Sequence, residues 1–62
     1  MDELIFLVED APEGGYTARA LGVSIFTEAD TIPDLQEQIR GAVHVHYDED
    51  DRPKVVRLRG AD

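Results

Sequence analysis

Two histidines, His44 and His46, are the first residues of this sequence that suggest a metal site. Zinc sites require ligands that converge on one point. The pattern around these residues is helical, and side chains two positions apart on a helix diverge by about 200°. We therefore expect no shared metal ion. His46 is predicted at the edge of the apolar stripe of the helix with a hydrogen-bond partner, and His44 in solvent.

The acidic run Asp48-Glu49-Asp50-Asp51 resembles the opening of a calcium-binding loop. Counted from Asp48 or Asp50, it lacks the glycine at the sixth position and the glutamate at the twelfth that such a loop uses. A two-metal nuclease collects its carboxylates from separate elements, whereas consecutive carboxylates fan out. We interpret this run as a solvated loop, and as a second possibility a docking surface for a basic partner.

Few other residues could act as catalytic nucleophiles or bind phosphate or nucleic acid. Cysteine is absent, and Ser24 has no histidine near it in the sequence. Gly14-Gly15 follow a predicted strand but precede another strand, so they favour a hairpin turn over a phosphate-binding loop. Arg57 and Arg59 form too small a basic stripe for nucleic acid. The sequence predicts a protein without catalytic residues, metal or cofactor, and therefore not an enzyme.

Composition indicates a single small acidic domain covering 1–62. Fourteen acidic residues against six basic ones give a net charge of −8, which repels nucleic acid and anionic membranes and favours a basic protein partner. No signal peptide or membrane span is recognisable, so we expect a cytoplasmic protein. So short a chain buries only about 60% of its unfolded surface, and self-association is expected to complete its core.

Three strands are predicted before the helix. The first is the apolar run Leu4–Val8, the second is Tyr16–Leu21 with alternating faces, and the third is Val23–Thr27 after a break at Gly22. The turn between the first two strands contains Pro12 and the paired glycines.

A helix start is marked by Thr31 as N-cap, with Pro33 in the first turn and Asp34 three residues after the cap. The helical period places one apolar stripe against a sheet, and we expect it to contain Ile32, Leu35, Ile39, Ala42, Val43 and His46. Gly41 falls on the far side, where it costs up to about 1 kcal/mol relative to alanine. We expect the helix to tolerate that loss.

A fourth strand, Val55–Arg59, follows the acidic loop and gives the order β-β-β-α-β. The predicted fold is a two-layer α+β sandwich in which one helix packs on a mainly antiparallel sheet, with the last strand parallel to the first. Leu4, Phe6 and Val8 should face the helix. The opposite, uncovered face is then apolar as well and predicts a homodimer or higher oligomer; its contact residues would be Ile5, Leu7, Phe26 and Val55.

The ordered set of features resembles the HicB-like antitoxin family. The resemblance rests on a strand ending in glutamate, the segment Glu13-Gly14-Gly15-Tyr16-x-Ala18, a helix start at Asp30-Thr31, and the helical pattern Leu35-x3-Ile39-x2-Ala42-Val43. It runs from about 4 to 47, and the segment 52–58 is similar to the last strand of a short branch of that family.

The resemblance implies a partial ribonuclease H-like fold without nuclease activity, in a family whose members neutralise a small basic RNA-cleaving toxin called HicA. Many members also carry a C-terminal DNA-binding segment. The present sequence, ending at Asp62, has no match to such a segment, so operator binding is not implied.

Three functional hypotheses follow. The first is an antitoxin-like domain that covers a basic toxin with acidic residues, namely Glu9, Asp10, Glu13, Asp48, Glu49, Asp50 and Asp51. The second is an accessory or regulatory domain that assembles with itself and has no toxin partner. The third, and most remote, is a metal-dependent ribonuclease, motivated by the implied fold and the many carboxylates, although fold alone does not confer function.

Overall fold

The computed structural model describes residues 2–60. Met1, Ala61 and Asp62, which belong to the predicted domain of 1–62, lie outside the described residues. The elements in chain order are β1 (Glu3–Asp10), β2 (Tyr16–Ala20), β3 (Phe26–Ala29), α1 (Ile32–His46) and β4 (Val55–Gly60). The predicted order β-β-β-α-β and the α+β class are thereby confirmed.

The four strands form one mixed sheet in the order β3-β2-β1-β4. β1 pairs antiparallel with β2 and parallel with β4, while β2 pairs antiparallel with β3. The helix joins β3 to β4 and so carries the chain from one edge of the sheet to the other, as a parallel strand pair requires. The predicted position of the last strand beside the first is confirmed.

The core lies between α1 and the sheet. Leu4 and Phe6 from β1 and Ala18 and Ala20 from β2 are buried, as the period-2 pattern predicts. From the helix the buried side chains are Leu35, Ile39 and Val43. Val8 is only half-buried, although it packs against this core as predicted.

The third strand is shifted relative to its prediction. Val23–Thr27 was expected, whereas β3 begins at Phe26 and extends to Ala29. Gly22 has a positive φ of 93°, and directly after it the Ile25 amide donates to the Val23 carbonyl at 3.1 Å. This tight turn takes Val23 to Ile25 out of the strand. Ile25 still reaches the core, where it is buried.

The turn between β1 and β2 and the start of α1 both follow local sequence signals. Gly15 has a φ of 81°, and a Cβ there would lie 2.7 Å from the Ala29 carbonyl oxygen, so the turn requires glycine at this position. Thr31 is the N-cap of α1 as predicted, and its side chain accepts a hydrogen bond from the Asp34 amide at 3.2 Å.

Two members of the predicted helical stripe do not pack on the sheet. Ile32 is 37% exposed, and His46, the last helical residue, is exposed. Both lie in the terminal turns of α1, whereas the buried residues of the helix lie between Leu35 and Val43. The expectation of His46 as a packed boundary residue is therefore wrong; its ring instead contacts the Tyr47 ring edge-on, with centroids 4.9 Å apart.

Candidate protein-interaction surfaces

The open face of the sheet, opposite α1, brings together the four predicted oligomer contacts. In β1 these are Ile5 and Leu7, both half-buried. Phe26 in β3 is 64% exposed and Val55 in β4 is 44% exposed. The pairing registers place all four on this face, since Arg19 lies opposite both Leu7 and Phe26, and Glu3 lies opposite Val55.

Arginines separate these apolar side chains. One row across the sheet reads Phe26, Arg19, Leu7 and Arg59, and Ile5 lies opposite Arg57. The open face is therefore amphipathic rather than continuously apolar. Long arginine stems can cover neighbouring apolar surface while their charged ends remain in water, which accounts for the partial burial of the two β1 residues.

Ion pairs connect neighbouring strands on the open face. Arg57 of β4 bonds to the Glu3 carboxylate of β1, and Arg19 of β2 lies 3.8 Å from the Glu9 carboxylate. All four side chains remain substantially exposed, so each pair adds about 1 kcal/mol or less. Their main effect is to hold opposite charges next to each other on adjacent strands.

The predicted contacts for a basic partner fall at opposite ends of the molecule. Glu9, Asp10 and Glu13 lie at the β1–β2 hairpin, where β1 ends. The run 48–51 lies after α1 and before β4, at the end where β1 begins, because Val55 pairs with Glu3. A strand of eight residues such as β1 separates these ends by roughly 25 Å.

Two further carboxylates, those of Glu28 and Asp30, lie near the β1–β2 hairpin. Glu28 shares a row with Thr17 and Glu9, and Glu28 and Asp30 border one shallow depression together with Glu13. We call this end of the molecule, which presents carboxylates on both sides of the sheet, the acidic hairpin end; it consists of Glu9, Asp10, Glu13, Glu28 and Asp30. Sequence reasoning missed the last two, because only the pairing of Tyr16 with Ala29 brings β3 to the hairpin.

The loop 48–51 forms a separate acidic turn. The Asp51 amide donates to the Asp48 carbonyl at 3.0 Å, and all four residues are exposed. The prediction of a solvated loop is confirmed. Arg52 follows directly, and its Nη2 lies 3.4 Å from the His44 carbonyl oxygen and 3.5 Å from that of Tyr47. A cation at the carboxyl end of a helix compensates its unpaired carbonyls and its dipole.

A groove between α1 and β4 was not predicted from the sequence. It has a volume of about 490 Å³ and an apolar lining of Ile39, Val43, Pro53, Val56 and Leu58, with Arg40, His44 and Arg52 among its polar residues. It exists because α1 lies over β2 and β3 and leaves β4 uncovered. A helix about 10 Å wide spans only two strands spaced about 4.8 Å apart.

The histidines take no part in a metal centre in the described structure. His44 is exposed beside the groove and His46 is exposed next to Tyr47. Within residues 2–60, no group of three or more His, Cys, Asp or Glu side chains is placed to hold a metal ion. No helix in this part of the chain has the length and apolarity needed to cross a membrane.

Two relatives identify the family of this protein. A UPF0150 protein of Archaeoglobus fulgidus is 51% identical over 55 residues, which cover 89% of this chain and 82% of the relative. A UPF0150 protein of Thermotoga maritima is 40% identical over 57 residues, covering 92% of this chain and 80% of the relative. No family model matches the chain, and no solved structure matches it. With such identity over nearly the whole chain, this protein belongs to the UPF0150 family.

Proposed function

We propose that this domain is a non-catalytic protein-binding domain of the HicB antitoxin type, which binds and neutralises a small basic RNA-cleaving toxin. The observation that carries the proposal is the acidic hairpin end, where carboxylates from β1, the hairpin turn, β3 and the residue after it lie at one end of the sheet. Complementary charge speeds the encounter with a basic partner and selects against acidic competitors.

The arrangement of charge supports binding at this end rather than over the whole surface. Arg19, a cation on the same face of the sheet as Glu9, is already paired with it. The remaining carboxylates of the acidic hairpin end are free to pair with an incoming basic surface. Next to them, the exposed Phe26 provides an apolar anchor of the kind that dominates protein interfaces.

A non-catalytic role is consistent with the placement of the carboxylates. Metal-dependent hydrolysis of RNA needs acidic side chains that converge on one or two ions. Here the acidic hairpin end is open and exposed, and the loop 48–51 lies at the other end of β1. We propose that these groups act through charge alone, and that the domain works in the cytoplasm with its toxin.

The test compares two charge-reversed proteins of equal net charge. In the first, Glu9, Asp10 and Glu13 are replaced by lysine; in the matched control, Asp48, Glu49 and Asp50 are replaced by lysine. Binding to a HicA-type toxin is measured by calorimetry, together with protection of RNA from cleavage by that toxin. The first protein should bind at least about tenfold more weakly and lose protection, while the control should change little.

Equal weakening in both proteins would contradict the proposed site, since it would show a dependence on net charge only. Failure of the unaltered domain to bind the toxin at low salt would contradict the function itself. RNA cleavage by the purified domain with magnesium or manganese, retained after removal of contaminants, would contradict the non-catalytic role.

A second candidate function is self-association without a toxin, and the exposure of Phe26 favours it. This side chain is 64% exposed on the open face, in one row with Leu7. Sedimentation analysis of Phe26→Ser should show a dimer converted to monomer. Val45→Ser is the matched control, because Val45 is 86% exposed on the helix and should leave the dimer intact. A stable monomer of the unaltered protein at all concentrations would exclude this candidate.

A further inference from the structure

The outer edge of β4 carries peptide groups that no strand within residues 2–60 pairs with. The Val55 amide donates to the Asp2 carbonyl at 3.0 Å, so the peptide groups of Val55 face β1. Successive residues of a strand direct these groups to alternate sides. Those of Val56 and Leu58 therefore point outward, where a further strand would bond.

The side chains of the same two residues line the groove beside α1. Val56 is 37% exposed and Leu58 is 38% exposed, although both point to the helix side of the sheet, opposite Leu4 and Phe6. A strand added about 4.8 Å beyond β4 would cover them. Its own side chains on that side would enter the groove next to Val56 and Leu58.

The charged side chains of β4 itself are positive, in contrast to the net negative charge of the whole protein. Of the six Lys and Arg residues, four lie between positions 52 and 59. Arg57 and Arg59 lie on the open-face side of β4. Arg57 is paired with Glu3, and Arg59 has no ion-pair partner among residues 2–60, so Arg59 is the main cation available to a bound carboxylate. Arg59 lies near the far end of β4, away from the acidic loop 48–51 that precedes the strand. Because salt screens charges over about 8 Å under physiological conditions, a carboxylate bound beside Arg59 would experience this cation more strongly than the acidic loop.

We propose that the outer edge of β4 binds an extended segment of another protein in which apolar and acidic residues alternate. The segment adds a fifth strand to the sheet, places its apolar side chains in the groove, and places its carboxylates over Arg57 and Arg59. Strand addition to an exposed sheet edge is a common mode of peptide recognition, in which the backbone provides affinity and alternate side chains provide specificity.

A second copy of the chain fits this edge poorly. Pairing β4 with β4 of another copy would bring Arg57 and Arg59 of both copies onto one face. Like charges in directly opposed strand positions are destabilising, and charged residues on an edge strand are a known means of preventing self-pairing. The site is also separate from the acidic hairpin end, so the proposal does not depend on a toxin partner.

The experiment follows the backbone amides of the full chain by NMR while a short capped peptide of alternating valine and glutamate is added. The amides of Val56 and Leu58 should shift, whereas those of β3 at the other edge should not. A peptide of alternating valine and lysine should bind at least about tenfold more weakly. The glutamate peptide with N-methyl groups on alternate residues, in the register that blocks strand pairing, should not bind.

Charge-altered proteins identify the contacts. Arg57→Glu combined with Arg59→Glu should reverse the preference, so that the lysine peptide binds better than the glutamate peptide. Arg19→Glu is the matched control, because Arg19 lies on the same face but in an inner strand, and it should keep the original preference. Circular dichroism verifies that each protein is folded.

Three outcomes would overturn the proposal. The first is an absence of shifts at β4, and the second is shifts confined to β3. The third is a dimer of the unaltered protein in which the Val56 and Leu58 amides are protected from hydrogen exchange, since a second copy would then occupy this edge.

Discussion

Phe6 and Leu58 lie directly opposite each other in the parallel strands β1 and β4, yet Phe6 is 0% exposed and Leu58 is 38% exposed. Both side chains point to the same face of the sheet. The difference arises because α1 covers β2 and β3, and its inner edge reaches β1 but not β4. Along this row of the sheet, the side chain from β1 therefore lies in the core and the side chain from β4 lies in the groove.

This difference predicts unequal costs for the same kind of substitution. Phe6→Ala should lower the free energy of unfolding by about 3 to 5 kcal/mol, because it leaves a cavity in the core. Leu58→Ala should cost only about 1 kcal/mol. Urea denaturation followed by circular dichroism measures both. Similar losses for the two variants would mean that β4 is covered in solution, either by α1 or by another chain.

The N-cap of α1 provides a second prediction. Thr31→Ala removes the acceptor for the Asp34 amide and should lower the free energy of unfolding by about 0.5 to 2 kcal/mol. Thr31→Asp keeps an acceptor at the cap and also places a negative charge at the positive end of the helix dipole, so it should retain most of the stability. Thermal denaturation of both variants tests this, and equal losses would show that the hydroxyl contributes nothing specific.

Gly41 lies in α1 with no atom within 4 Å of the position that a Cβ would take. Gly41→Ala should therefore raise the free energy of unfolding by up to about 1 kcal/mol, since alanine restricts the unfolded chain and favours the helix. The melting temperature should rise, and binding of the proposed toxin should stay unchanged. If binding were lost while stability rose, a partner backbone would have to approach α1 at this position.

Salt should stabilise this protein. Its net charge is −8, and much of that charge is concentrated in the acidic hairpin end and the loop 48–51. Raising NaCl from about 10 mM to about 150 mM shortens the Debye length from about 30 Å to about 8 Å, which weakens this repulsion and should raise the melting temperature. Asp48→Asn combined with Asp50→Asn should reduce the effect. A fall in melting temperature would show that the exposed ion pairs outweigh the repulsion.

The sequence correctly predicted features that depend on residues close to one another in the chain. The alternation in Tyr16–Ala20 gave the correct buried face, and Thr31 gave the correct helix start. The same reasoning misplaced β3, because the turn from Val23 to Ile25 depends on Gly22 adopting a positive φ. Val23 and Ile25 are apolar and β-branched, and this residue type alone does not show whether the chain continues as a strand or turns while its side chains pack in the core.

The candidate surfaces were only partly predictable. The open face followed from alternation within each strand, and its four apolar members were correctly placed there. The gathering of Glu28 and Asp30 with Glu13 depends on strand register, which no single segment encodes. The groove beside β4 depends on how far one helix reaches across four strands, and the sequence contained the signal for it in the narrow apolar stripe of α1.

The parallel pairing of β1 with β4 has a consequence for the order of folding. Arg57 and its partner Glu3 are 54 positions apart in the chain, whereas β1 and β2 meet through a tight hairpin. Distant contacts bear a larger loop-closure entropy and tend to form late. During synthesis β4 also leaves the ribosome after β1, β2 and β3, so a nascent chain would display the hairpin before it possesses the groove. Any partner that docks at β4 would thus recognise only molecules that have finished folding.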